Sequence, residues 1–429
     1  LCPSHLPRGD FQEIANYAKT FIQEESLDEE LEHGFYIYDL GELKRTYELW
    51  TTLFPGIQPY YAVKCNPDEG LLRELASFGA NFDCASPAEI QLVLNQGVSA
   101  HRILYANPCK SAWDLKYAHQ KQIQRTTFDT VCELEKIAKY APRMECILRL
   151  YACDPNAQCP LSNKFGAHEK EWSQLLQKAS SLNLSVTGMS FHVGSGSSSA
   201  ESFVHAIEQA HRLHKLGTTY GFQMNLLDIG GGFMKNNLST IPSSIQKALE
   251  TYGFHETPFQ VIAEPGRFFA ESCGSLFTKV LGIRDRSSTH RDYWISDSLY
   301  GSFNCILYDH IHPEPFILYN NEVVPPKTPD LLDWDAPVSP VVSVDSSDSD
   351  HDSVISVPTT SKNETYISTL FGPTCDGMDV VLKDIELPRL ELNDWVAFPN
   401  MGAYTIAGAC LFNGLGFPFI PKYYVRSQE

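Results

Sequence analysis

The chain has 429 residues, 43% apolar and 20% charged, enough for a sizeable core in one large barrel or two domains. Its formal charge of −19 argues against nucleic acid or an anionic membrane as partner. Twelve cysteines without a CxxC pair point to reduced thiols in a cytoplasmic protein rather than a disulfide framework, and no metal site is expected.

The opening "LCPSHLPRGDF" has no basic segment ahead of an apolar run, so no signal peptide is expected, and no uncharged stretch reaches bilayer-spanning length. "FYIYDL" (35–40) reads as a strand outside the alternation that follows. Eight short apolar runs then read as strands over 57–64, 81–84, 102–106, 125–128, 144–150, 186–192, 224–229 and 259–263. Amphipathic segments separate them. One starts at Ser86-Pro87 with Glu89 three residues after the serine, a capping-box start with proline at the first helical position. Eight βα units match a TIM barrel, with an open doubly wound sheet as the competing arrangement.

After residue 273 the alternation ends, and "LFTKVLGI", "YWISD", "TYISTLFG", "DWVAFPN" and "KYYVRS" read as antiparallel strands of a β domain. Residues 323–362 are rich in Ser, Asp and Pro and read as a disordered surface insertion. Ser346, Ser347 and Ser349 stand among aspartates there, as an acid-directed kinase requires, although linker filler is the stronger reading of them. Asn363-Glu364-Thr365 is a chance sequon in a cytoplasmic protein.

In a TIM barrel the residues after each strand meet at one face. Here these are Lys64, Asp83, Asn107, Asp129, Arg149, His192, Gly230-Gly231-Gly232 and Glu264. Lys64 is notable, because it closes the apolar run "PYYAVK" where a solvated ammonium would be the ordinary reading. "DIGGGF" after strand seven and "AEPGRFF" after strand eight bring backbone N–H groups and Arg267 to the place where barrel enzymes hold phosphate, and Ser195 of "HVGSGS" adds a hydroxyl. A phosphate site, a strand-end amine and a carboxylate are the parts that pyridoxal 5'-phosphate needs. The lysine forms a Schiff base, the carboxylate keeps the pyridine nitrogen protonated, and His192 can cover one ring face. Desolvation and nearby cationic charge are expected to lower the Lys64 pKa.

"YYAVKCN", "FDCAS", "ILYANPCK", "SFHVGSGS", "LLDIGGGF", "AEPGRFF", "YGSFNCILYDH", "GPTCDGMD" and "NMGAYT" together resemble the eukaryotic ornithine decarboxylases, of the alanine-racemase-like (fold-type III) pyridoxal-phosphate enzymes. The resemblance runs from about residue 35 to 425, apart from the insertion. It implies a TIM barrel over 40–273 and a β domain over 274–429 that takes in the segment 1–39. It also implies a head-to-tail homodimer with active sites shared across the interface. Lys64 would carry the cofactor, Glu264 would pair with the pyridinium, and His192 would stack on the ring. Ser195, Gly230, Gly231, Gly232, the Glu264-Pro265-Gly266-Arg267 loop and Tyr404 would bind cofactor and phosphate, with Asp83, Glu89 and Arg149 organising the site. Tyr308, Asp309 and Asp376 would contact L-ornithine, Asp376 from the partner subunit. Cys375 would return a proton to the α-carbon, its thiol kept protonated by Asp376.

The implied reaction is decarboxylation of L-ornithine to putrescine. Lysine is the alternative substrate, since one extra methylene is discriminated by only about 1–3 kcal/mol. A non-catalytic binding protein of the antizyme-inhibitor kind is the second alternative, against which the complete set of catalytic residues stands. Ser298 departs from the family's glycine in "NDGVYGSF", and antizyme regulation is not inferable.

Overall fold

The computed structural model describes residues 8–24; 33–319 apart from 153, 155–156, 158–163 and 198; 322–324; 365–415; and 420–428. Ser346, Ser347, Ser349 and Asn363, with most of the expected insertion, lie outside the described residues.

Helix α1 (Arg8–Glu24) precedes strand β1 (Phe35–Asp39) and helix α2 (Leu40–Leu53). Eight strands follow: β2 (Ile57–Ala62), β3 (Asn81–Cys84), β4 (Ile103–Tyr105), β5 (Arg125–Phe128), β6 (Glu145–Arg149), β7 (Val186–Ser190), β8 (Leu226–Asp228) and β9 (Gln260–Ala263). All neighbours are parallel, and β9 pairs back onto β2 through Val261 and Ile57, so the sheet closes. The barrel, not the open sheet, is the fold. Tyr60, Leu104, Ile147 and Leu226, from alternate strands β2, β4, β6 and β8, pack with Ile262 inside it. This layer fills the lumen.

The helices of the barrel are α3 (Glu69–Phe78), α4 (Pro87–Asn95), α5 (Ala112–Gln120), α6 (Val131–Tyr140), α7 (Glu169–Ser181), α8 (Ala200–Thr219) and α9 (Ile241–Thr251). Local chemistry sets their ends. Asp68 accepts from the N–H groups of Gly70 and Leu71 to start α3, and Gly79, at φ 98°, ends it. At α4 the Ser86 hydroxyl accepts from Glu89 N–H at 3.3 Å, but the Glu89 carboxylate takes the N–H of Ala85 at 2.6 Å. The expected capping box is therefore displaced by one residue.

The short helix α10 (Arg267–Ala270) leads out of the barrel into β10 (Gly274–Asp285). Then come β11 (His290–Ile295), helix α11 (Asn304–Tyr308), β12 (Phe316–Tyr319), β13 (Glu322–Val324), β14 (Thr365–Phe371), β15 (Val380–Pro388), β16 (Trp395–Phe398) and β17 (Lys422–Val425). They form one sheet in the order β13-β12-β16-β10-β11-β14-β15, with β1 paired to β10 and β17. The sheet is mostly antiparallel, as expected, with two exceptions. β1 runs parallel to β17, and β11 runs parallel to β14. Val323 and Val324, expected within the insertion, pair with β12 instead. Helix α1 lays Phe11, Ile14, Ala15 and Ala18 against Phe35, Phe277 and Trp395 of this sheet.

The sheet and the barrel meet beside Lys64. The side chain of Asn66, fully buried, donates to the Gly402 carbonyl at 2.8 Å and to the Tyr38 hydroxyl at 3.2 Å, and it accepts from Asp68 N–H at 3.0 Å. Gly402 is held so close to the barrel that a Cβ there would overlap the Ala270 carbonyl.

Candidate active site

A cavity opens at the carboxyl ends of the barrel strands. Lys64 enters it from a single helical turn, Val63–Cys65, that follows β2. Its ammonium lies 2.5 Å from Oδ2 of Asp83, the fully buried acid of β3, whose Oδ1 has no partner. The lysine side chain keeps 41% exposure because it faces the open cavity. Burial disfavours its charge, but the carboxylates of Asp83 and then Glu264 outweigh that, and its pKa is raised. The expected lowering is therefore wrong. The neighbours that decide are anions, not cations.

Glu264 directly follows β9 and lines the cavity. Burial, with Asp228 and Asp83 alongside, pushes its carboxyl well above the usual range. His192 follows β7. Its Nδ1 accepts from Gly194 N–H at 3.1 Å, and burial beside Arg149 and Lys64 holds the ring neutral. Arg149 ends β6, with its guanidinium 5.1 Å from the Phe165 ring centroid.

The glycine loop after β8 packs directly under this histidine. A Cβ on Gly231 would stand 2.8 Å from both His192 Nε2 and the Glu264 carbonyl. Gly230 and Gly232 have φ of 65° and 100°, a conformation that glycine alone adopts readily. The N–H groups of Gly231 and Gly232 find no protein acceptor among the described residues. Ser195 and Gly196 line the cavity next to them. Across the loop, Pro265 accepts from Ala62 N–H at 3.2 Å, and Gly266 seats against Cys65. Arg267 is 4% exposed, donates to Glu271 at 3.0 Å and to Asp309, and leaves its Nε unpaired. Tyr404 closes the wall with its ring 5.3 Å from that guanidinium, and its N–H donates to the Cys65 carbonyl at 2.8 Å.

Other expected residues lie elsewhere in this chain. Asp309 is buried against Arg267, whereas Tyr308 is 73% exposed and outside the cavity. Cys375 is exposed on a loop where its N–H donates to Asn413 at 3.0 Å. Asp376 accepts from Tyr300 and from Met378 N–H, and the Tyr300 bond lowers its pKa. Two of the strand-end residues serve loops instead. Asn107 bonds to the Ala85 carbonyl at 3.1 Å, and Asp129 accepts from Gly166 N–H at 2.8 Å. Among the described residues no group of three or more His, Cys, Asp or Glu could hold a metal ion, and no helix is long and apolar enough to cross a membrane.

Residues 40–271 match the model of the pyridoxal-dependent decarboxylase family's pyridoxal binding domain. The chain belongs to this family. It is 38% identical to the chloroplastic ornithine decarboxylase of Nicotiana glauca, over 94% of this chain and 86% of that one. It is also 38% identical to the ornithine decarboxylase of Mus musculus, over 92% and 81%. Among solved structures, the arginine decarboxylase of Paramecium bursaria Chlorella virus superposes with a TM-score of 0.82 at 35% identity, covering 96% of this chain and 100% of that one.

The cavity fits the cofactor on its own chemistry. It offers an amine, a buried carboxyl, a flat neutral imidazole, and unpaired N–H groups of two glycines and an arginine for phosphate. The chain is a pyridoxal-phosphate-dependent decarboxylase.

Three buried polar residues around the cavity were not singled out from the sequence. Asp228, at the end of β8, accepts from Gly230 N–H at 2.9 Å, and burial raises its pKa beside Glu264. Asp154 and Asn237 reach the glycine loops from behind. Asp228 had a signal, being the one strand-end acid directly ahead of the glycine triplet. Asp154 and Asn237 had none.

Proposed function

We propose that the chain decarboxylates L-ornithine to putrescine and CO2, the first step of polyamine biosynthesis, as a cytoplasmic homodimer. The observation that carries this reading is the 2.5 Å Lys64–Asp83 pair at a cavity shared with Glu264, His192 and Arg267. Two relatives named ornithine decarboxylases over most of their length support the substrate. Asp309, a buried carboxylate bonded to cavity-lining Arg267, suits the distal ammonium of a diamino acid. Nine free cysteines among the described residues suit a reducing compartment.

Pyridoxal phosphate supplies an aldehyde that captures amines and a ring that accepts the electrons left by CO2. Lys64 would hold it covalently. Asp83, paired with the lysine nitrogen at 2.5 Å, would fix that nitrogen in the cavity. Glu264, crowded by Asp228 and Asp83, would meet the ring nitrogen, where a cation relieves that crowding. His192 presents an uncharged face, while Ser195, the glycine loops and Arg267 would bind phosphate. Cys375 would protonate the α-carbon, and Asp376 would hold the distal ammonium, each in the site of the neighbouring copy. Neither lines the cavity of its own chain, which supports that shared arrangement.

Steady-state kinetics with ornithine, lysine and arginine test the reading. Ornithine should give the highest kcat/KM. Equal or better turnover of lysine overturns the choice of substrate.

A further inference from the structure

We infer that Asn237 is a positioning residue for the cofactor's phosphate, binding together the two glycine loops that cradle it. This inference rests on the cofactor reading above.

The loops come from different strands. Gly194–Ser197 follows β7, and Gly230–Gly232 follows β8. They touch, for a Cβ on Gly232 would stand 2.6 Å from the Gly194 carbonyl and 3.3 Å from Ser197 Cβ. Asn237, 8% exposed and not among the residues lining the cavity, joins them. Its Nδ2 donates to the Ser197 carbonyl at 2.8 Å and to the Gly232 carbonyl at 3.1 Å. Its Oδ1 accepts from Met234 N–H at 3.1 Å, which fixes the amide's orientation. Behind Ser197, the fully buried Asp154 accepts from that serine's hydroxyl at 2.7 Å and from Ser199 N–H at 3.2 Å.

An amide is suited to this place because one nitrogen carries two donors and so can serve two carbonyls at once. Drawing the Gly232 carbonyl away from the cavity turns the other edge of that trans peptide, which carries the Phe233 N–H, towards it. There the Phe233 N–H finds no protein acceptor among the described residues, and Phe233 lines the wall with Ser195 and Gly196. Asn237 touches neither the cavity nor the reacting atoms. Its effect should therefore fall on the anion and not on the ring or the lysine.

The test compares pyridoxal phosphate with pyridoxal, which lacks the phosphate, as ligands of the full-length cofactor-free chain. Binding is followed by absorbance. Asn237→Ala should raise the Kd for pyridoxal phosphate about tenfold, the scale of one or two lost hydrogen bonds, while the Kd for pyridoxal stays unchanged. Asn237→Asp, unable to donate and carrying charge, should raise it further. Ser197→Ala keeps the backbone bond to Asn237 but removes the tie to Asp154, and should show the same selectivity with a smaller change. An unchanged Kd for pyridoxal phosphate in Asn237→Ala overturns the inference. So does an equal loss for both ligands, which reports general damage. If the unmodified chain fails to bind pyridoxal phosphate, the cofactor reading itself falls.

Discussion

The guanidinium of Arg267 is hydrogen-bonded to the buried carboxylate of Asp309. A side chain proposed for the cofactor's phosphate and one proposed for the substrate's ammonium thus form a single ion pair. Removing the arginine strands a buried carboxylate. Arg267→Ala should destabilise the cofactor-free chain by about 3 kcal/mol in denaturant unfolding. It should also raise both the cofactor Kd and the KM for ornithine. A rise in the cofactor Kd alone would show that the pair does not link the two sites.

Lys64 and Cys375 lie in one chain, but Cys375 does not line the cavity that Lys64 enters. Lys64→Ala should lose borohydride-dependent attachment of the cofactor and at least about 10³-fold in turnover. Cys375→Ala should also be nearly inactive. Mixing the two variants should restore about a quarter of normal activity, because half the reassorted dimers then carry one intact site. No recovery on mixing would mean that each chain completes its own site.

Buried Glu264 holds its proton at pH values where the unfolded chain, near 4.5, has lost it. Its contribution to stability is complete below that value and disappears as pH rises through the raised folded value. Neutral His192 has the opposite sense, being penalised as pH falls below its ordinary 6.5. For the cofactor-free chain, Glu264→Gln should therefore flatten the fall in melting temperature as pH rises above about 4.5. Parallel melting curves for variant and parent across that range would contradict the assignment.

Asn66 is buried with three hydrogen bonds, two of them to the β-sheet side of the molecule. Asn66→Ala leaves the Gly402 carbonyl and the Asp68 N–H unpaired and should cost about 2–3 kcal/mol. Because Tyr404 is two residues from Gly402 and bonded to Cys65, cofactor affinity should fall as well. Calorimetry and a binding titration check both effects.

The barrel strands were legible because each is a short apolar run, whereas closure, as against an open doubly wound sheet, rests on the pairing of β9 with β2, which their pattern does not report. Lys64, His192 and Glu264 were legible because strand ends in such a barrel share one face. The charge state of Lys64 was not legible, since its decisive neighbour is 19 residues away on the next strand. Asn237 and Asp154 were hidden for the same reason. They act through hydrogen bonds spanning 40 and 43 residues, and nothing local marks an asparagine or aspartate for such a task. The parallel pairing of β1 with β17 joins the two ends of the chain, which no periodicity reports.

That pairing has a consequence for biogenesis. Tyr424 and Ser427, at the end of β17 and just beyond it, bond to Asp68 at 2.9 Å and to Asp39 at 3.0 Å, and Tyr404 closes the wall over Arg267. A ribosome releases all eight barrel strands long before it releases these residues. Nascent chains stalled after the barrel should therefore be poor at retaining the cofactor, and loading becomes a late event. The enzyme is armed only when its last strand has found its first.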